Sequence, residues 1–244
     1  MIKITLTKDD KFLNLSSLIP CLSSSRMRGS SPKLFFNICL SVGCHTTIVD
    51  DFTEKDINEC GIIFNLEADS SLKYSSTVCP APSTMLMAVG SRMGMNAPGK
   101  SFSRDLTVNL LGYGSQANLD VKILSSKDHQ INLTTKQVHL SSNTSSLLNI
   151  KNVMLKNSKF NCDNLIKIEK DLSEVTAIEI SKVLSLVSDA QVLFKPKIEV
   201  DSQDVICKHE AAILCLNEEQ LFYLQSRGMS LKQARDFLLK AFLN

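Results

Sequence analysis

DLTVNLLGYGSQANLDVKIL, residues 105–124, contains two short apolar runs separated by a small polar break. In Val108-Asn109-Leu110 and in Leu119-Asp120-Val121-Lys122-Ile123, apolar side chains fall at every second position. That period of two is the signature of a strand with one face in and one face out. The pattern continues on the C-terminal side in HQINLTTKQVHL (129–140), SLLNIKNVML (146–155), NLIKI (164–168), VTAIEIS (175–181) and QVLFKPKIEV (191–200). The breaks read YGS, SSKD, SSNTS, KNS and SDA. Alternation of this kind is compatible with a sandwich, a barrel or a β-solenoid. Turn chemistry favours the last. Hairpins of type I′ and II′ need residues at positive φ, supplied by Asn-Gly, Asp-Gly or Gly pairs. The chain has only 9 Gly and 6 Pro, and neither dipeptide occurs. A coil winding in one direction needs bends and no reversals, and Ser, Asn and Asp corners suit that. The expected fold is a parallel β-helix (a β-solenoid), although no repeat of fixed length is visible, which counts against it.

The 244 residues allow one large domain or two small ones, and 43% are apolar, enough for a sizeable core. A net charge of +2 gives no reason to expect a nucleic-acid surface. The start, MIKITLTKDD, has no apolar segment of signal-peptide type. No run approaches the roughly 20 apolar residues of a membrane span. A cytoplasmic protein is expected. The eight cysteines include no CxxC pair, which argues against a structural zinc site. Most are expected to pack as small hydrophobes.

The expected organisation is an irregular segment over 1–33, a β-helix over 34–206, and a terminal element with helices over 207–244. The stretch PAPSTMLMAVGSRMGMNAPGK (80–100), with four Met, interrupts the strands and reads as gap-filling residues or an adaptable surface. Helix is expected only at the end. Asn217 is a candidate N-cap, with Gln220 three residues on in a capping-box arrangement and Glu218 and Glu219 in the first turn. Gly228 suits the position after the last turn. Ser230 caps a second helix, in which Ala234, Phe237, Leu238, Ala241 and Phe242 form an apolar stripe.

The stretch KPKIEVDSQDVICKHEAAILCLNEEQLFYLQSRGMS (195–230) resembles the C-terminal signature of the SufB/SufD family of iron–sulfur cluster assembly. Lys195, Pro196, Glu199, Asp204, Val205, Cys207, His209, Leu221, Phe222, Tyr223, Leu224, Arg227 and Gly228 are in step with it, and the histidine of the Cys-x-His element is SufD-like. TTKQVHLSSNTSS (134–146), with His139, and FSRDLTVNLLGYGSQANLDVKIL (102–124) also look like family segments. The resemblance implies a right-handed β-helix followed by a helical region. It implies a scaffold without enzymatic activity of its own, pairing through its β-helix with a SufB-like paralogue. A SufC-like ATPase would dock on the C-terminal helices through Leu221, Phe222, Tyr223, Leu224, Arg227 and Phe237, and ATP would be used by that partner alone. A transient Fe–S cluster would form at the subunit interface, with His209 as metal ligand and Cys207 beside it.

That chemistry is reasonable on its own terms. Iron accepts thiolate and imidazole, and a mixed, incomplete donor set suits a scaffold that must release its cluster. Residues 207 and 209 of a strand share a face. The sequence departs from the family where Glu210 replaces a Gly, Ala212 a Thr and Cys215 a second Gly; Glu210 is a further candidate ligand. The family's Gln-rich segment is replaced by EKDLSEVTAIEISKVL (169–184). Two other readings stand beside the scaffold. One is an interaction-only subunit that has lost the metal. The other is a carbohydrate-cleaving β-helix, against which the scattered single carboxylates argue. No phosphate-binding GxxxxGK[ST] loop occurs. His45 and His129 are expected to be solvated and His139 to serve the coil.

Overall fold

Alternating side chains need something to bury their apolar face against, and here each strand finds it in a second sheet facing the first. The computed structural model describes residues 2–15, 33–50, 59–78, 101–125, 128–155, 157–186 and 189–243. The strands are β1 (Ile2–Leu6), β2 (Phe12–Asn14), β3 (Lys33–Leu40), β4 (His45–Asp50), β5 (Glu59–Leu66), β6 (Ser71–Val78) and β7 (Ser101–Leu110). They continue as β8 (Gln116–Ser125), β9 (Gln130–His139), β10 (Ser145–Met154), β11 (Lys159–Ile168), β12 (Ser173–Ser185), β13 (Gln191–Val200) and β14 (Asp204–Cys215). Odd-numbered strands form one seven-stranded sheet and even-numbered strands the other, each in sequence order. Pairing is parallel throughout the described ladders, for example β7 with β9 and β8 with β10. The chain therefore crosses from sheet to sheet and back in one direction, the solenoid expected from the alternation and the scarcity of hairpin residues. Two helices, α1 (Glu218–Ser226) and α2 (Leu231–Leu243), close the chain.

The repeat hidden in the sequence is 29 residues over the middle coils. Ser101, Gln130 and Lys159 lie in register on successive coils at that spacing. Elsewhere Lys33 pairs with Glu59 and Glu59 with Ser103, so the step changes and no fixed period shows. The variation sits at one corner. Connections from odd to even strands are tight, whereas those from β2 to β3, β4 to β5 and β6 to β7 run through 15–32, 51–58 and 79–100. The Met-rich stretch and most of the Ser-rich run at 21–33 lie there, outside the described residues.

The tight corners use the residues the sequence offered in place of Gly. Gly43, Asp69, Gly114 and Asn143 occupy positive φ of 65°, 53°, 74° and 54°. Asn and Asp tolerate that region better than other side chains. The residue following each, Cys44, Ser70, Ser115 and Thr144, is small and buried. Its carbonyl accepts a hydrogen bond from the next coil, as from Gln116 N to Ser70 O (2.9 Å) and from Ser145 N to Ser115 O (3.1 Å). Cys44 is thus one rung of a small-residue stack, the bland role expected of most cysteines.

Phe36, Ile38, Ile62, Phe64, Leu106, Leu119, Val121 and Ile131 fill the interior between the sheets, each contributing about 1.5–3 kcal/mol by burial. Asp50, Tyr74 and Arg104 form a polar island among them: Tyr74 Oη donates to Asp50 Oδ2 (2.5 Å), and the Arg104 guanidinium pairs with Asp50. Outside, asparagines stack, Asn109 donating to Asn65 (2.9 Å) and Asn65 to Asn37 (2.7 Å).

Two expected boundaries move. Residues 1–33 are not irregular throughout, because β1 and β2 pair with β3 and β4 and start the solenoid. Strands this short leave a faint local trace and exist through their partners. At the other end the Cys-x-His element belongs to the solenoid, since β14 runs through it to Cys215. The helices begin only at Glu218. Asn217 caps α1 by accepting from Glu219 N (2.8 Å). The reciprocal capping box appears at α2 instead, where Gln233 N donates to Ser230 Oγ (3.3 Å) and Ser230 N to Gln233 Oε1 (2.8 Å). α2 packs Leu239, with Phe242 and Leu243, against Leu124, Val153 and Leu184 at the strand ends of the even sheet. Phe237, placed on the buried stripe by helical periodicity, is 52% exposed.

Candidate functional site

The solenoid ends at β13 and β14, each paired along one side only among the described strands. Pro196 in β13 fits such an edge, because a residue with no N–H is tolerated where no further strand needs one. The coil end is correspondingly apolar and open: Leu193, Ile198, Ile206 and Ile213 are all exposed.

Cys207 and His209 lie on this edge strand, two residues apart. They register with Ala177 and Glu179 of β12, both buried, so the pair faces inward at the last coil. Cys207 is half-buried, and the His209 side chain is 13% exposed. Burial pulls the His209 imidazole below its ordinary range, towards the neutral form a metal ligand needs. Burial pushes the Cys207 thiol up, so thiolate there would need a metal or a cation to hold it.

Glu210 does not join them. Strand alternation turns it to the opposite face, where its Oε1 lies 3.5 Å from Lys182 Nζ. Among the described residues no group of three His, Cys, Asp or Glu side chains could hold a metal ion. The edge offers two donors, and any further ligand has to come from elsewhere.

Behind His209 stands a residue that sequence reading missed. Glu179 Oε1 is 3.5 Å from His209 Nδ1, and Glu179 itself is 1% exposed. Desolvation raises its carboxyl to about 7, against the pull of hydrogen bonds from Ser181 and Asn164. Ser181 Oγ donates at 3.0 Å, and Asn164 Nδ2 donates to the same oxygen. The Asn164 carbonyl in turn accepts from Thr135 Oγ1 and Cys162 Sγ, each at 3.0 Å. A signal existed: VTAIEIS alternates, but its apolar Ile178 and Ile180 suggest the wrong face. Val175, Ala177, Glu179, Ser181 and Val183 are the buried set.

The other histidines separate clearly. His139 is fully buried, with Nδ1 2.7 Å from Thr144 Oγ1 and Nε2 2.8 Å from Ser146 Oγ, and burial lowers it to about 4. It serves the coil. His45 is exposed beside Ser71, while His129 is half-buried, not solvated as expected.

Of the six expected docking residues, Leu221 is excluded, being buried at 8% exposure. Phe222 and Tyr223 are exposed, and the Arg227 guanidinium lies 5.2 Å from the Tyr223 ring centre. Tyr223, Leu224, Phe237 and Leu238 line a cleft of about 300 Å³ between the two helices.

Residues 88–242 match the family described as SUF system FeS cluster assembly, SufBD core domain. The chain belongs to the SufBD family. Among curated relatives, the iron-sulfur cluster assembly protein SufD of Bacillus subtilis is 28% identical over 152 residues, 62% of this chain and 34% of that protein. SufB of the same organism is 26% identical over 181 residues, 71% of this chain and 36% of that protein. The chloroplastic protein ABCI7 of Arabidopsis thaliana is 36% identical over 80 residues, 33% of this chain and 17% of that protein. The matches cover roughly a sixth to a third of these relatives' lengths, and identity at this level does not separate a SufD-like from a SufB-like member. SufBD membership ties the chain to SUF iron–sulfur cluster assembly. It leaves the compartment open, since one relative is named as chloroplastic. No helix among the described residues is long and apolar enough to cross a membrane.

Proposed function

We propose that this SufBD protein is a scaffold subunit, SufD-like in role, that builds a transient Fe–S cluster together with a SufB-like paralogue. The observation that carries the reading is the placement of His209 and Cys207 on the edge strand β14, paired on one side only among the described strands, facing into an open coil. An edge strand is a template for pairing with another chain. Two donors at such an edge form part of a ligand set, and a second subunit supplies the remainder. Shared, incomplete ligation holds a cluster loosely enough to pass on. The cluster is cargo, and the chain is not an enzyme. ATP is hydrolysed by a SufC-like ATPase, for which the cleft of Tyr223, Leu224 and Phe237 is the docking surface.

Co-expression with SufB-like and SufC-like partners tests this. The His209→Ala complex should assemble as the parent does, yet give less cluster on anaerobic reconstitution with iron and sulfide, read by absorbance. Unchanged cluster yield removes His209 from the mechanism. A second reading, an interaction-only subunit, draws on Glu210 being turned away to Lys182. It requires that the intact parent complex assemble no cluster involving this chain.

A further inference from the structure

Two features of the last coils meet between β12 and β14. A glutamate is sunk in the interior at an inward position of β12, where its burial costs stability. In addition, His209 Nε2 is buried and has no hydrogen-bond partner among the described residues. Both make sense together. We infer that Glu179 is a positioning residue for His209: its carboxylate receives the Nδ1–H and leaves Nε2 as the electron-pair donor turned to the ligand. This rests on the reading of His209 as a cluster ligand.

The geometry supports each part. The separation of 3.5 Å between Glu179 Oε1 and His209 Nδ1 is long for a hydrogen bond, yet the two residues are direct register partners on β12 and β14. The carboxylate is itself fixed. Asn164 and Ser181 both donate to Oε1, the oxygen nearest the imidazole. The Asn164 amide has one sensible orientation. Its oxygen faces the Thr135 hydroxyl and the Cys162 thiol, so its NH2 faces Glu179. The reverse would set an amide oxygen against a carboxylate. A chain of fixed groups thus runs from β9 through β11 and β12 to the ring on β14. A carboxylate behind a ligating histidine fixes tautomer and ring orientation, and losing it costs about 10–100-fold in metal affinity.

The tautomer can be read without any metal. In the full-length protein, in mildly alkaline buffer, long-range ¹H–¹⁵N NMR should show the His209 proton on Nδ1, with the signal assigned by its loss in His209→Gln. In Glu179→Leu, which removes the acceptor at similar volume, the proton should shift towards Nε2, the tautomer a free neutral imidazole favours. A wild-type proton on Nε2, or the same tautomer in both proteins, overturns the inference. In the partner complex, Glu179→Leu should lower affinity for iron about ten-fold or more. If His209→Ala abolishes cluster formation while Glu179→Leu leaves affinity and yield unchanged, Glu179 has no positioning role and the ligand assignment survives. If neither change matters, the ligand assignment itself fails.

Discussion

Acidification should destabilise this solenoid through one side chain, His139. The ring sits at a tight corner between two hydroxyls, with no exposed surface. Thr144 Oγ1 donates to Ser141 O (2.9 Å), so it must accept from Nδ1–H, and Nε2 then accepts from Ser146. The ring is held neutral. Burial lowers its folded-state pKa from 6.5 to about 4. Between those values the unfolded chain takes up a proton that the folded chain refuses, so stability falls as pH falls through that window and is fully present above it. At about 1.4 kcal/mol per pH unit, the loss totals about 3 kcal/mol, a large share of the roughly 5–15 kcal/mol of a typical domain. The comparison is with His139→Gln, whose amide can serve both hydroxyls without titrating. Urea melts from about pH 7 to about pH 4 should show the parent losing about 3 kcal/mol more than the variant, with equal m-values. Parallel pH profiles, or a His139 ring that titrates near its ordinary value by NMR, would refute the reasoning.

Other expected outcomes follow from packing. A Cβ on Gly112 would collide with the Ala68 backbone on the neighbouring coil; Gly112→Ala should therefore cost at least the roughly 1–3 kcal/mol of an overpacked core by urea denaturation. Leu239→Ala should cost about 2–3 kcal/mol, since it empties the contact with Leu124, Val153 and Leu184, whereas Phe237→Ser, at an exposed position, should shift stability by no more than about 0.5 kcal/mol. Asn217→Ala should remove about 1 kcal/mol by losing the cap on Glu219 N. Gly228 has φ +91° with open space around it, so Gly228→Ala should cost about 1 kcal/mol from backbone strain alone.

The fold was legible because alternation and the lack of hairpin residues are both local. Val108, Leu110, Leu119, Val121 and Ile123 all face the interior as their spacing implies. Parity failed where the interior turns polar. On β12 the inward side chains are Val175, Ala177, Glu179, Ser181 and Val183, so the apolar Ile178 and Ile180 mislead. A displaced register between Ser173 and Val175 leaves no mark that local spacing could reveal. The same blindness hid Glu179, whose meaning comes from β14, thirty residues on. Glu210, next in sequence to His209, looked like a ligand, yet strand geometry separates neighbours and unites second neighbours. The helices showed the converse limit. Periodicity gave the stripe of α2 but not which edge of it meets the solenoid, a matter settled by Leu124, Val153 and Leu184 from three distant strands.

The uneven corners give the molecule two sides with different freedom to vary. One side is pinned by short bends and stacked small residues; the connections at 15–32, 51–58 and 79–100 all fall between an even strand and the following odd one. Extra residues between those strands come at small entropic cost and leave the ladder in register. A fluorescent reporter or affinity handle spliced in between β6 and β7 would enter the chain several coils before β14, and could track assembly while the edge strand stays untouched.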